Sequence, residues 1–260
     1  MEVLNREIQV TDTPALPGGL LNIVPVQDIG AAVGRGVVWE SQLCATPAAA
    51  PGVCDDALAT ADAEKAFGAP AYGEADPFGI YIGLECSPAF KDYERRATEA
   101  LKFGEGHAVE RGVDSLILSG ATVLNGGVAV SMTNAIAVLE AAIRDLSSGG
   151  LIHVSAFGAA YLASKRGVDS DKDFILHTAQ GTPIVNGGGY SRTGPAGAAV
   201  TNIDEGFWMY ATGHMEILRG SVEYSQGLDV STNTERGLAE KLFAVSNQCF
   251  TVAIQVDPSL

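Results

Sequence analysis

SPAFKDYERRATEALKFGEGHAVER, Ser87 to Arg111, has the pattern of one long helix. Ser87 is a residue type that caps free backbone N–H groups, and Pro88 stands where a missing N–H costs nothing. Phe90, Tyr93, Ala97, Leu101, Gly104 and Ala108 recur at three- and four-residue steps. Lys91, Asp92, Glu94, Arg95, Glu99, Lys102 and Glu105 fall outside that stripe and are expected to face water. A helix of this length spans about 36 Å, the width of a small domain. Its apolar stripe is too narrow to make a core alone, so it suits a beam across which other elements lie. The same pattern also suits an ordinary amphipathic surface helix. Gly104 and Gly106 are points at which it would divide, since each costs up to ~1 kcal/mol against alanine in a helix interior.

Upstream, Met1 to about Gly34 reads as an extended arm. Pro14, Pro17, Gly18, Gly19 and Pro25 punctuate it, and helical periodicity is absent. Leu20, Leu21, Ile23, Val24 and Val26 must still be covered, either by the body or by a neighbouring subunit. Between Gly36 and Cys86, two strand-like runs, GVVWESQLC and FGIYIGLEC, flank an interior rich in Ala, Pro, Gly and Asp. A structureless loop that long inside a compact domain usually signals function. The pattern fits a two-stranded projection resting on a partner, and a disordered surface insertion fits it as well.

Downstream, SLILSGATVLNGGVAVS gives short apolar runs broken by Gly120, Gly126 and Gly127. Met132, Ile136, Leu139, Ile143 and Leu146 then step by four, three, four and three, which predicts a helix capped by Ser131 or Thr133 and ended by Gly149 and Gly150. LIHVS reads as a buried strand, and Ser155 as the cap of a small-residue helix, AFGAAYLASKR. Strand, helix and strand in this order suggest a mixed α/β subdomain. TPIVNGG is a strand candidate, and FWMYATGHMEILRGSVEYS reads as a pair of strands around Gly213. In CFTVAIQV, Phe250, Val252, Ile254 and Val256 share one face, with Thr251, Ala253 and Gln255 on the other.

Composition bounds the function. Apolar residues are 47% of the chain and charged ones 18%, a globular balance. With 16 basic against 31 acidic residues the net charge is −15, which disfavours direct binding to a phosphate backbone. No run approaches the ~20 apolar residues of a membrane span. The N-terminus lacks a basic patch followed by an apolar run, so no signal peptide is expected and synthesis in a reducing cytoplasm follows. Cys44, Cys54, Cys86 and Cys249 then read as free thiols, and Cys44 and Cys54 are spaced to pair after release from a cell.

Reactive constellations fail on spacing. His107, His153, His177 and His214 stand apart, with no His-x-x-x-His or Cys-x-x-Cys pair. Asp169, Asp171 and Asp173 alternate like the start of a calcium loop. Phe174 occupies the glycine position, however, and no glutamate closes the loop, so a solvated acidic turn is expected. Gly187-Gly188-Gly189 has neither dinucleotide nor P-loop spacing. No Gly-x-Ser-x-Gly elbow occurs. Trp208, Met209 and Tyr210 read as core residues of a strand. No catalytic, cofactor or metal residue is therefore assigned, and a structural protein is indicated.

The order of these parts, from Ser131 onward above all, resembles the major capsid proteins of tailed bacteriophages. Their Hong Kong 97-type (HK97-like) fold is of the α+β class, and the chain is similar in particular to capsid sequences from phages of actinobacteria. The resemblance covers nearly the whole chain through the order of its motifs. It implies an N-terminal arm over 1–34, an extended loop over 35–86 and a peripheral domain with its spine helix over 87–130. An axial domain over 131–212 and the return strands of the peripheral domain over 213–260 complete it. The implied function is a head shell of self-assembled hexamers and pentamers enclosing double-stranded DNA, with portal, scaffold and decoration proteins as further partners and no membrane. It also implies location in the virion after assembly in the host cytoplasm, and on that reading the acidic surplus would make an inner wall past which DNA slides. Some members of the family weld subunits by a lysine–asparagine bond. Lys65 is the only lysine of the implied loop, and Asn233 or Asn247 lies in the return strands, with no motif to mark an acceptor. An encapsulin nanocompartment and a soluble α/β enzyme are the rival readings.

Overall fold

The computed structural model describes residues 17–41, 71–86, 92–146, 149–165, 168–171 and 175–260. The chain enters through a helical turn, α1 (Leu20–Ile23), and a short strand, β1 (Val26–Asp28). A 3₁₀ turn (Gly30–Arg35) leads to β2 (Val37–Ser41), β3 (Ala71–Ala75) and β4 (Phe78–Cys86). The long helix α2 (Tyr93–Leu116) is followed by β5 (Thr122–Val123), α3 (Met132–Leu146), β6 (Leu151–Val154) and α4 (Ala156–Ser164). Three short strands, β7 (Asp169–Ser170), β8 (Leu176–His177) and β9 (Pro183–Val185), come next. The chain closes with β10 (Phe207–Thr212), β11 (Met215–Asp229), β12 (Thr234–Asn247) and β13 (Thr251–Val256).

The described strands form a four-stranded sheet in the order β1-β11-β12-β4, a seven-stranded sheet in the order β5-β13-β10-β6-β9-β8-β7, and a β2-β3 ribbon. Strands β10 and β13 run antiparallel through the middle of the larger sheet and have both faces buried. Phe207, Met209, Ala211, Val252, Ile254 and Val256 point to the side covered by Ala135, Leu139 and Ile143 of α3 and Leu162 of α4. Trp208, Tyr210 and Ala253 point the other way, into a core shared with α2 and the four-stranded sheet. The second face of CFTVAIQV, with Ala253 and Gln255, is buried as well, because another layer packs there. Each large side chain so buried is worth roughly 1.5–3 kcal/mol. Ser155 caps α4, accepting a hydrogen bond from the Gly158 N–H at 3.3 Å. Ser131 Oγ takes the Asn134 N–H at 3.5 Å, which decides the cap of α3 for Ser131 over Thr133.

Helix α2 is one unbroken element, displaced along the chain from its predicted bounds. It starts after Asp92, whose backbone is left-handed (φ 67°), and runs on to Leu116. Ser87, Pro88, Phe90 and Lys91 lie outside the described residues. Gly112 stands inside the helix, where its missing side chain admits the Phe78 ring, since a Cβ there would lie 2.4 Å from Phe78 Cε2. The buried row is Tyr93, Ala97, Leu101, Glu105, Val109 and Val113, in steps of four. Steps of four advance about 40° each round a helix, so the buried stripe winds from one layer to the next. That winding replaces the expected Gly104 and Ala108 by Glu105 and Val109. Glu105, expected to face water, is 8% exposed.

One predicted pairing is corrected. GVVWESQLC and FGIYIGLEC do not pair with each other: β2 pairs with β3, and β4 joins β12 in the four-stranded sheet. Ile80, Ile82 and Leu84 alternate along β4 toward α2, and an isolated ribbon would leave them uncovered. The two strands expected around Gly213 are β10 and β11, and they belong to different sheets. The crossing at Gly213 runs beside the return from β12 to β13, with Gln248 N–H donating to His214 O at 3.0 Å and Gly213 N–H to Phe250 O at 3.3 Å. A Cβ on Gly213 would stand 2.0 Å from the Gln248 carbonyl oxygen, so only glycine fits. At the same corner Cys249 is disulfide-bonded, which corrects the free-thiol reading for this residue. Cys44 and Cys54 also lie outside them.

Candidate functional site

The histidines are placed in unrelated surroundings. His153 is fully buried on β6, with Nδ1 3.2 Å from Tyr190 Oη and Nε2 2.9 Å from Thr212 Oγ1. Burial drives its pKa down to about 3, so the ring is neutral. His177 Nδ1 lies 3.1 Å from the Ile175 carbonyl oxygen, and His107 stands exposed on α2. Asp171 holds the Ile175 N–H at 2.9 Å in a local turn, while Asp173 and Phe174 lie outside the described residues. Among the described residues no group of three or more His, Cys, Asp or Glu is arranged to hold a metal ion, and no helix is long and apolar enough to cross a membrane.

The acidic groups that sequence reasoning missed are structural joints. Glu110, 2% exposed, accepts the Leu20 N–H on Oε1 at 3.1 Å and the Gly189 N–H on Oε2 at 3.0 Å. One turn on, Asp114 Oδ2 accepts the Ser191 N–H at 3.3 Å. Four residues of helix rise about 6 Å, close to two residues of extended chain, so acids at i and i+4 catch alternate N–H groups of a backbone laid alongside. Burial raises the Glu110 pKa, opposed by its two backbone hydrogen bonds. The glycine triad is explained by this contact. A Cβ on Gly187 would fall 1.8 Å from the Glu110 carboxyl, and one on Gly189 would fall 2.3 Å from the His107 carbonyl oxygen. The only sequence signal was the triad itself, together with acids spaced by four.

Among the described residues, several large apolar side chains are exposed. On the β2-β3 ribbon Val38 and Tyr72 are about two-thirds exposed, and on β4 Tyr81 is 73% exposed. Leu228 and Val230, at the far end of the β11–β12 hairpin, and Phe103 on α2 are exposed as well. Leu20 and Val24, by contrast, are covered by the body of the same chain. A cavity of about 470 Å³ opens between the root of the ribbon and the end of α2, lined by Trp39, Glu74, Phe78, Leu116, Val245 and Asn247. Trp39 Nε1 and Asn247 Oδ1 find no hydrogen-bond partner among the described residues.

The two acceptor candidates for a weld lie at opposite ends of β12. Asn233 sits in the exposed turn before it, at φ 51°. Asn247 ends it, donating to Thr251 Oγ1 at 2.6 Å. About 45 Å of strand separates them. Lys65 lies outside the described residues.

No protein-family model and no curated protein sequence matches the chain. Solved structures do. The chain is similar to the capsid of a native GTA particle, at 10% identity and TM-score 0.56 over 98% of this chain and 95% of that one. It is similar to a chain of Mycobacterium phage Che8, at 13% identity and TM-score 0.53 over 100% and 97%. It is also similar to the SrpI encapsulin of Synechococcus elongatus, at 12% identity and TM-score 0.52 over 97% and 94%. Each of these matches covers at least 94% of both chains. The chain has the α+β fold of the Hong Kong 97-type capsid shells.

Proposed function

We propose that the protein is a structural major capsid protein, not an enzyme, which self-assembles into the icosahedral head of a tailed double-stranded DNA phage and encloses its genome. The end-to-end likeness to assembled phage shells carries this reading. The exposed apolar side chains of the ribbon, of β4 and of the β11–β12 hairpin support it, because closed symmetric assembly would cover them with neighbouring copies. In this reading 1–34 is the N-terminal arm, 35–86 the extended loop, 87–130 and 213–260 the peripheral domain, and 131–212 the axial domain. The subunit is built in the host cytoplasm and ends in the virion, with portal, scaffold and decoration proteins as possible partners. The net charge of −15 suits a wall that packaged DNA does not adhere to.

The encapsulin likeness supports a second reading, a shell around a protein cargo. Nuclease treatment of particles from the native source, followed by extraction, separates the two. Protected double-stranded DNA is the expected content, and a cargo enzyme without DNA would favour the nanocompartment.

A further inference from the structure

We propose that Asn125 is a site of spontaneous covalent modification, its side-chain amide passing through a cyclic imide to aspartate and isoaspartate. The inference goes beyond the shell reading and does not depend on it. The chain contains two Asn-Gly steps, Asn125-Gly126 and Asn186-Gly187. In such a step the nucleophile, the next backbone nitrogen, is tethered to its target carbon, so the reaction is intramolecular. Glycine in second place leaves no side chain in the way of ring closure. The Gly126 nitrogen bonds to Cγ of Asn125, the bond from Cγ to Nδ2 breaks, and the displaced proton leaves with ammonia. Water then opens the imide. Breaking the bond to Cγ gives aspartate, and breaking the bond to the backbone carbonyl carbon gives isoaspartate. No oxidant or reductant is consumed.

The fold treats the two steps differently. Asn125 and Gly126 are exposed in the connection between β5 and α3. Asn125, Gly126 and Gly127 stand in succession at φ 53°, 61° and 80°, a left-handed run that asparagine and glycine accept. A Cβ on Gly126 would meet nothing within 4 Å, so the peptide has room to rotate. The turn is closed by Gly127 N–H donating to Leu124 O and Val128 N–H to Asn125 O, both at 3.1 Å, and by Asn125 Nδ2 donating to Val128 O at 3.0 Å. Bonds of an exposed turn open locally at small cost. The other step is locked. Asn186 N–H donates to Gly18 O at 2.8 Å, and Gly189 N–H to Glu110 Oε2 at 3.0 Å. A Cβ on Gly187 would fall 1.8 Å from the Glu110 carboxyl, so the peptide there turns only if that buried joint comes apart. Conversion at Asn125 adds a negative charge and removes the donor to Val128 O, and the isoaspartate form also lengthens the backbone of the turn.

The test is peptide mapping by mass spectrometry of the purified full chain, incubated at mildly alkaline pH both folded and in urea. Exchange of NH2 for OH is followed at both asparagines, and isoaspartate is read by enzymatic methylation of the same peptides. In the folded protein Asn125 is expected to convert at least tenfold faster than Asn186, which reacts only after its joint opens. In urea the two rates should come together, since both are then plain Asn-Gly steps. Asn125→Gln should abolish the change at that step, and Gly126→Ala should slow it, with melting curves checking that each variant folds. An Asn125 that converts in urea but stays intact in the folded chain, or that converts no faster than Asn186, would overturn the proposal. Should a variant fail to fold, the ratio of the two rates in wild type decides alone.

Discussion

Lys241 Nζ lies 2.8 Å from Glu105 Oε1, with both side chains nearly nine-tenths buried between α2 and the four-stranded sheet. Arg219 approaches the same oxygen at 3.7 Å and binds Asp28 of β1 at 2.6 Å. One carboxylate on α2 thereby connects three strands of the sheet beneath it. A charge taken this far from water must be paired, and here two cations share the task.

Removing the nearer cation should therefore be costly. Lys241→Ala is expected to lower subunit stability by about 3 kcal/mol, at the low end for a broken buried pair because Arg219 remains. The double variant Lys241→Met/Glu105→Leu should recover most of that loss. Urea denaturation of the unassembled subunit measures both.

The glycines of α2 give opposite expectations within one helix. Gly104 and Gly106 have open space where a Cβ would stand, so alanine at each should stabilise the subunit by up to about 1 kcal/mol. At Gly112 the same change drives a methyl into the Phe78 ring and should destabilise it instead. Melting temperatures of the three single variants check the reversal of sign.

His153 sets an acid limit. Its folded pKa of about 3 lies below the ordinary value of 6.5, so the folded state refuses a proton that the unfolded chain accepts. The stability tied to the neutral ring is complete above pH 6.5 and falls by about 1.4 kcal/mol per unit as pH drops from there toward 3. His153→Gln should be less stable at neutral pH yet lose about 2 kcal/mol less than wild type between pH 7 and pH 5. Denaturation at the two pH values reads that difference.

The exposed end of the β11–β12 hairpin separates folding from assembly. Leu228→Ser and Val230→Ser remove side chains that are 57% and 82% exposed, so subunit stability should change by less than about 0.5 kcal/mol. Particle yield should fall if those side chains meet a neighbouring copy. Melting curves and micrographs of the same samples separate the two effects.

Local periodicity carried much of this fold. The steps through Met132, Leu139 and Ile143 and the alternation in CFTVAIQV predicted α3 and β13, and Ser155 marked the cap of α4. Pairing was not legible, because which strand lies beside β2 or β11 depends on which faces need cover in three dimensions. The hydrophobic row on β4 decided that against the hairpin which sequence proximity suggested. Buried acids were the other blind spot. Glu105 and Glu110 look like solvated helix residues until Lys241, Leu20 and Gly189 arrive from 136, 90 and 79 residues away.

Electron microscopy of the purified chain tests the central claim most directly. Closed, regular shells of many copies are the expected result, each built from the 26.9 kDa chain. A uniform population of lone 26.9 kDa subunits, stable at high concentration under all assembly conditions, would contradict it.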